Sequence, residues 1–328
     1  MVNRTKSRNV PVGPSPFEVA ASPLPAGKFV DPLRTADGSV RASVALDHLD
    51  TLWFATGTLC NLACAHCYIE SSPTNDALIY LAPEHASRFL DEIAGRDVRE
   101  IGFTGGEPFM NPGIIAMLTD ALERGHEALV LTNAMQPMRR HEVDLLLLRE
   151  RFGDQLTLRV SIDHHTQEVH EAERGPGSWS LMLDGLRWLS ANGFSIAAAG
   201  RHLAGESDAD TRAAYSALFG RQGIAINSAD PARLVLFPEM DASADIAEIT
   251  DACWGILGKS PSSVMCSNSR MVVHRKGEPM PRVTACTLLP YDPQFDLGET
   301  IAEASGAVSL NHPHCARFCV LGGASCSA

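Results

Sequence analysis

From Leu52 to Leu257 the chain alternates short apolar runs with longer amphipathic stretches, and no other feature restricts its fold so strongly. The pattern predicts strands over Leu52–Ala55, Glu100–Phe103, Ala128–Leu131, Leu156–Ile162, Phe194–Ala199 and Leu234–Phe237. It predicts helices over Pro83–Ile93, Ile114–Glu123, Val143–Glu150, Ser180–Ser190, Ala209–Phe219 and Ile246–Leu257. Pro83 suits the first turn of its helix, where a missing N–H costs nothing, and Glu84 suits the positive end of the helix dipole. Gly193 marks a left-handed stop. Six strand–helix pairs in series imply an α/β fold with a parallel sheet and right-handed crossovers, either open or curled into a partial barrel. In both forms the reactive side chains belong at the C-terminal ends of the strands.

The flanks read differently. Residues 1–47 form an irregular arm rich in Pro, Gly and Ser, with a strand expected over Val40–Leu46. The basic residues at the start have no apolar run behind them, so no secretory signal is expected. Residues 48–258 hold the alternating unit, and residues 259–328 a smaller one in which Gly, Pro and Cys become frequent. There, Met271–His274 and Arg282–Thr284 flank a Lys276–Gly277 turn signal and predict a hairpin. This last segment carries too little apolar material for a core of its own, so a metal or cluster is expected to staple it.

Of 328 residues 45% are hydrophobic, enough for one large core and a satellite, and the net charge of −12 weighs against nucleic acid or an anionic membrane as partner. No run of about 18 apolar residues is present, so no membrane span is expected and a cytoplasmic location is. In such a reducing compartment the nine cysteines, odd in number and clustered, point to metal or cluster ligation in preference to disulfides.

The first cluster is Cys60-Asn-Leu-Ala-Cys64-Ala-His-Cys67, directly after the first strand. Three thiolates on one short loop can hold three irons of a cubane and leave the fourth iron open to a ligand. The alternative is a structural zinc with His66 or a distant residue as fourth ligand. At the end of the second strand stands Thr104-Gly105-Gly106-Glu107-Pro108, where two glycines let backbone come close to a ligand.

Together, the Cys-x3-Cys-x2-Cys loop, the aromatic Tyr68 behind it and the Gly-Gly-Glu-Pro run resemble the radical SAM superfamily over roughly residues 50–240. The resemblance implies a partial (β/α)6 barrel and a [4Fe–4S] cluster on Cys60, Cys64 and Cys67 whose exchangeable site takes S-adenosylmethionine (SAM). It implies that Gly105, Gly106 and Glu107 meet the SAM amino group, with Glu107 accepting from the ammonium, and that Tyr68 lies near the adenine. Ser161-Ile-Asp163, and His170 with Arg174, are similar to the Ser-x-Asp and His-x-x-x-Arg of the anaerobic sulfatase-maturing group, whose arginine pairs with the SAM carboxylate. Each also has a plain reading: Tyr68 as loop packing and Arg174 as a solvated loop arginine. Asn133 is placed to face the barrel mouth or to make an Asx turn.

Cys266, Cys286, Cys315, Cys319 and Cys326 make a second set, with Gly277 between the first two. It resembles the twitch or SPASM extension of radical SAM enzymes, so a small cysteine-rich C-terminal extension with one auxiliary [4Fe–4S] cluster is expected, or else a structural zinc. The favoured ligands are Cys266, Cys286, Cys315 and Cys319, with Cys326 as the alternative. His312 and His314 are expected to donate hydrogen bonds near this site, and Cys253 to be simply buried in its helix.

The implied chemistry is reductive cleavage of SAM to a 5′-deoxyadenosyl radical that abstracts hydrogen, with reduced flavodoxin or ferredoxin as electron donor. A small-molecule substrate is expected, because the first 50 residues read as too short and irregular for a leader-binding module, and net oxidation is expected, because a fully ligated second cluster has no open iron and suits taking an electron. The alternative is a peptide-modifying enzyme of the RiPP or maturase type, and a minor one a non-catalytic scaffold. Arg201, His202 and the stretch Phe237-Pro-Glu239-Met-Asp241 are candidate substrate contacts, and His202 or Asp241 a candidate base.

Overall fold

The computed structural model describes residues 14–18, 21–201, 203–238 and 241–323. Its strands are β1 (Ser43–Val44), β2 (Thr51–Ala55), β3 (Glu100–Thr104), β4 (Glu127–Thr132), β5 (Leu156–Asp163), β6 (Ser195–Arg201), β7 (Leu234–Phe237), β8 (Ser269–Val273), β9 (Arg282–Thr284) and β10 (Val308–Ser309). The helices are α1 (Pro83–Glu92), α2 (Ile114–Glu123), α3 (Gln136–Arg139), α4 (Glu142–Phe152), α5 (Gln167–Arg174), α6 (Ser178–Ala191), α7 (Asp208–Gln222) and α8 (Asp251–Leu257). No helix among the described residues is long and apolar enough to cross a membrane.

One eight-stranded sheet runs in the order β7-β6-β5-β4-β3-β2-β8-β9. Every pair from β7 through to β8 is parallel, and β8–β9 is an antiparallel hairpin. The six expected strand–helix pairs thus form the open parallel sheet of a partial barrel. The C-terminal hairpin does not stand apart: β8 adds to the free edge of β2, pairing Thr51–Phe54 with Ser269–Val272.

The alternation of side chains along β2 shows what each face buries. Leu52 and Phe54 point to the helices and join a core with Phe89 of α1 and Leu118 of α2. Trp53 and Ala55 point the other way and join a second core with Met271, Val273, Leu288 and Phe318 from the C-terminal segment. Residues too sparse in apolar side chains for a separate core are therefore covered by sharing the inner face of the barrel sheet. Arg270 closes this segment from within. It is 0% exposed, and its guanidinium donates to the carbonyls of Cys266 (2.6 Å), Ser269 (2.8 Å), Ala304 (2.8 Å) and Gly306 (3.0 Å).

Three local expectations need correction. The strand over Val40–Leu46 shrinks to Ser43–Val44, which pairs antiparallel with β10 in a sheet of two strands. The helix expected from Ile246 begins only at Asp251, because Thr250 is extended and the segment before it is tied to the arm: Arg41 bridges Thr250, and Ala42 N donates to Ile249 O (2.9 Å). Cys253, expected to be simply buried, is half-buried and takes part in the helix cap, its sulfur 3.4 Å from both Thr250 N and Thr250 Oγ1. A missed helix, α5, is short and polar, and it carries His170 and Arg174.

Candidate functional site

The tips of β2, β3, β4 and β5 converge on one cavity. It is lined by Cys60, Cys64, Cys67, Tyr68, Gly105, Gly106, Asn133, Ser161 and Arg174, so nearly all site residues named from the sequence for the N-terminal half meet there. The cysteine loop has no regular structure of its own and is held from outside. Gly106 N donates to Gly57 O (2.7 Å) and Glu107 N to Leu59 O (3.2 Å), which locks the second strand's tip under the loop. Side-chain-free positions are required here. A Cβ at Gly105, where φ is +133°, would lie 2.4 Å from Gly57 O, and one at Gly106 would lie 2.2 Å from Leu59 O.

On the other side the loop is clamped by Glu173, a residue the sequence reading missed. This fully buried carboxylate accepts from His66 N (2.9 Å) and from Ser15 Oγ (2.6 Å), while its backbone oxygen accepts from Ala65 N (2.8 Å). Only its place beside Arg174 hinted at it. Residues of the N-terminal arm thereby reach the barrel mouth, where Phe17, 3% exposed, lies under the Arg201 guanidinium at 5.1 Å. Arg201 also stands 6.0 Å over the Tyr68 ring.

Asp163 ends β5 in the left-handed region (φ +46°), past a register shift, and forms an ion pair with Arg174 and a longer one with Arg201 (3.7 Å). Burial raises its carboxyl pKa, but the two guanidinium groups outweigh it and hold the group down to about 2. Arg174 is thus not a solvated loop arginine: it ends α5 and is mostly buried against the cavity. Asn133 realises both of its readings. Its Oδ1 accepts from Met135 N (3.0 Å) in an Asx turn, and its Nδ2, bonded to Asn61 Oδ1 (2.9 Å), lies 4.0 Å from Cys60 Sγ. His170 is buried below, its Nδ1 at 2.6 Å from Ile162 O, and does not line the cavity.

Glu107 sits behind the glycines, 2% exposed and outside the cavity lining. Its carboxylate ties the β3 tip to the β4 tip, accepting from Thr132 Oγ1 (2.8 Å), Asn133 N (2.8 Å) and Phe109 N (3.3 Å). Burial pushes its pKa up to about 7 against those hydrogen bonds. Glu107→Ala is expected to orphan buried donors at a cost of about 1–3 kcal/mol and to weaken SAM binding about tenfold or more, with iron content unchanged. Isothermal titration with SAM checks this, and an unchanged affinity would separate the carboxylate from the site.

Of the candidate substrate contacts, Arg201 and Phe237 line the cavity. Asp241 bonds to Ser243 N (2.8 Å) and Oγ (2.7 Å), while His202, Glu239 and Met240 lie outside the described residues. Arg159, on the inner face of β5, lines the cavity as well, an inward cation that the apolar strand pattern concealed.

A second, apolar pocket collects Cys266, Cys286, Cys315 and Cys319, together with His314. Cys315 and Cys319 lie four apart on a π-helix over Cys315–Leu321 and so share a face. Cys326 lies outside the described residues. Consecutive residues line the two pockets, Cys286 the second and Thr287 the first, so the two sites are neighbours.

Both donor sets fit a metal cluster on chemical grounds. None of the eight described cysteines is in a disulfide. Burial pushes Cys60 and Cys64 up to about 12 and Cys266 up to about 11. The Cys315 thiol is driven well up by burial and by the nearness of Cys286 and Cys266. Buried thiols such as these take up negative charge only when a positive centre is bound among them. His314, pushed down to about 3 by burial, is a neutral imidazole beside the second set.

Comparison with known proteins bears on the barrel part of the chain. The Radical SAM superfamily model matches residues 55–217. The antilisterial bacteriocin subtilosin biosynthesis protein AlbA of Bacillus subtilis (strain 168) is 32% identical over 138 residues, 42% of this chain and 30% of AlbA. The mycofactocin maturase MftC of Mycobacterium ulcerans (strain Agy99) is 29% identical over 138 residues, 42% of this chain and 36% of MftC. The match therefore spans about a third of these relatives' length. In fold, the chain is similar to Streptococcus suis SuiB bound to S-adenosylmethionine, with a TM-score of 0.56 at 12% identity over 77% of this chain and 63% of SuiB. It is also similar to anSMEcpe with bound AdoMet, with a TM-score of 0.54 at 13% identity over 77% of this chain and 79% of the other.

Proposed function

We propose, from the chain's membership of the radical SAM superfamily through residues 55–217, that it modifies a peptide oxidatively, with SAM consumed as co-substrate. The expectation of a small-molecule substrate gives way here, because AlbA is named for bacteriocin biosynthesis and MftC as a maturase, and both match over 138 residues against 66 for the GTP 3',8-cyclase of Chlorobaculum tepidum. SuiB, whose fold the chain shares, has also been seen bound to its precursor peptide SuiA.

Cys60, Cys64 and Cys67 would hold the [4Fe–4S] cluster, which supplies the electron that cleaves SAM to methionine and a 5′-deoxyadenosyl radical. The chain's own residues bind and orient. Gly105 and Gly106 bring bare backbone to the amino-acid end of SAM. Arg174 offers a carboxylate the N–H groups that Asp163 leaves over, since Asp163 accepts from Nε. Tyr68 and the Arg201 guanidinium above its ring line the same cavity and would flank the bound SAM. Reduced flavodoxin or ferredoxin is the electron donor this chemistry calls for.

The observation that carries the oxidative part is the second pocket. Its four cysteines would ligate an auxiliary [4Fe–4S] cluster fully, leaving no open iron, one residue away from the first cavity. Such a group suits electron uptake from the substrate. The test is anaerobic incubation with SAM, dithionite and the short peptides encoded beside the gene. One 5′-deoxyadenosine and one methionine should form per product, and the product should lack two hydrogens or carry a cross-link. Cys286→Ala should still yield deoxyadenosine while product formation stalls. A product isomeric with its substrate, or turnover of small metabolites alone, would overturn the reading.

A further inference from the structure

One cluster of metal-ligating side chains belongs to neither cysteine site. His164 and His165 directly follow β5 and Glu206 lies in the loop after β6; one ligand atom from each lies within 4.8 Å of the others. None of the three lines the first cavity. We infer that His164, His165 and Glu206 form a binding site for one divalent first-row transition ion, with zinc(II) as the probe.

The geometry is that of a prepared site. His164 Nε2 lies 3.3 Å from Glu206 Oε1, about the edge of a tetrahedron with arms of roughly 2.0–2.1 Å. Both groups are held from behind. His164 Nδ1 is 2.8 Å from Thr166 Oγ1 and accepts from Thr166 N (3.2 Å), which fixes the ring with Nε2 toward Glu206, where an ion would take the place of the Nε2 proton. Glu206 Oε2 accepts from Leu203 N (2.8 Å), which turns Oε1 toward the histidines.

His165 supplies the observation that a simple His–Glu pair leaves unexplained. Its Nδ1 is buried and has no hydrogen-bond partner among the described residues. Its ring lies 4.0 Å from that of His164, and Tyr215 packs edge-on at 5.8 Å on another side. Two imidazoles and one carboxylate suit zinc, iron(II), cobalt or nickel and not the oxygen-seeking magnesium or calcium. An ion there would tie the β5 turn to the β6 loop, and so fix Asp163, which orients Arg174.

The test uses the full chain with its iron–sulfur centres reconstituted, equilibrated with zinc(II), washed and measured by metal analysis and zinc K-edge X-ray absorption. Expected is one zinc per chain with nitrogen and oxygen scatterers at about 2.0–2.1 Å and no sulfur at about 2.3 Å. Glu206→Gln and His165→Gln should each weaken zinc about tenfold or more, with iron content unchanged. Should His165→Gln fold poorly, Glu206→Gln on its surface loop carries the test. No retained zinc, a sulfur-only shell that marks the cysteines, or affinity unchanged in Glu206→Gln would overturn the site. These readouts do not depend on any substrate and so fail separately from the peptide reading.

Discussion

Alanine at Cys60, Cys64 and Cys67 together is expected to abolish 5′-deoxyadenosine formation while the protein stays folded and keeps about half its iron, four of roughly eight atoms per chain. The loss should be complete because all three cysteines line the same cavity and no other cysteine among the described residues does. The fold should survive because the loop does not rest on its cysteines. Leu62, 1% exposed, anchors it, and its backbone is held by Glu173 on one side and by Gly57–Gly106 on the other. The retained iron would be that of the second pocket, built from residues after Val264. Iron analysis, absorbance near 400 nm and circular dichroism together decide the matter. Stoichiometric zinc in the wild type without charge-transfer absorbance would sink the cluster assignment, and residual deoxyadenosine in the triple variant would move the reactive centre elsewhere.

Gly106→Ala should be nearly as severe although it removes no ligand. Its new Cβ would meet Leu59 O at 2.2 Å, Leu59 C at 2.6 Å and Thr58 O at 2.8 Å, all backbone atoms with no flexible end to yield. To make room, either the tip of β3 or the residues just ahead of Cys60 must move by more than 1 Å or so, a misplacement that costs about 100-fold in rate even without lost contacts. The expected result is a fall of about 100-fold or more in deoxyadenosine formation, with partial loss of iron at the first site only. Gly220→Ala, on an open face of α7 with nothing within 4 Å, is the control and should be neutral or slightly stabilising. Equal behaviour of the two variants would mean that the cysteine loop tolerates displacement and that the close approach of the two tips has no catalytic value.

The sequence by itself determined the six strands of the barrel and most of its helices, the cysteine loop after β2 and the two glycines after β3. These are properties of neighbouring residues: a period of two or of 3.6, a spacing of thiols, a side chain missing at a turn. The tertiary structure decided everything that needs two distant segments in register. Glu173 clamps His66 from 107 positions away, and Ser15 from 158 away reaches the same carboxylate. Glu107 faces Thr132 and Asn133 because β3 and β4 end side by side, so a residue expected in the cavity became a tie behind it. The hairpin of β8 and β9 was legible as a hairpin, but its place on the β2 edge was not, since an apolar strand carries no mark of which edge it will meet. Likewise His164 and His165 meet Glu206 only because β5 and β6 pair in parallel and bring their C-terminal turns together. Local patterns fix local conformation; the polar contacts of the site are long-range, and they exist only once burial of the two cores has set the register of the sheet.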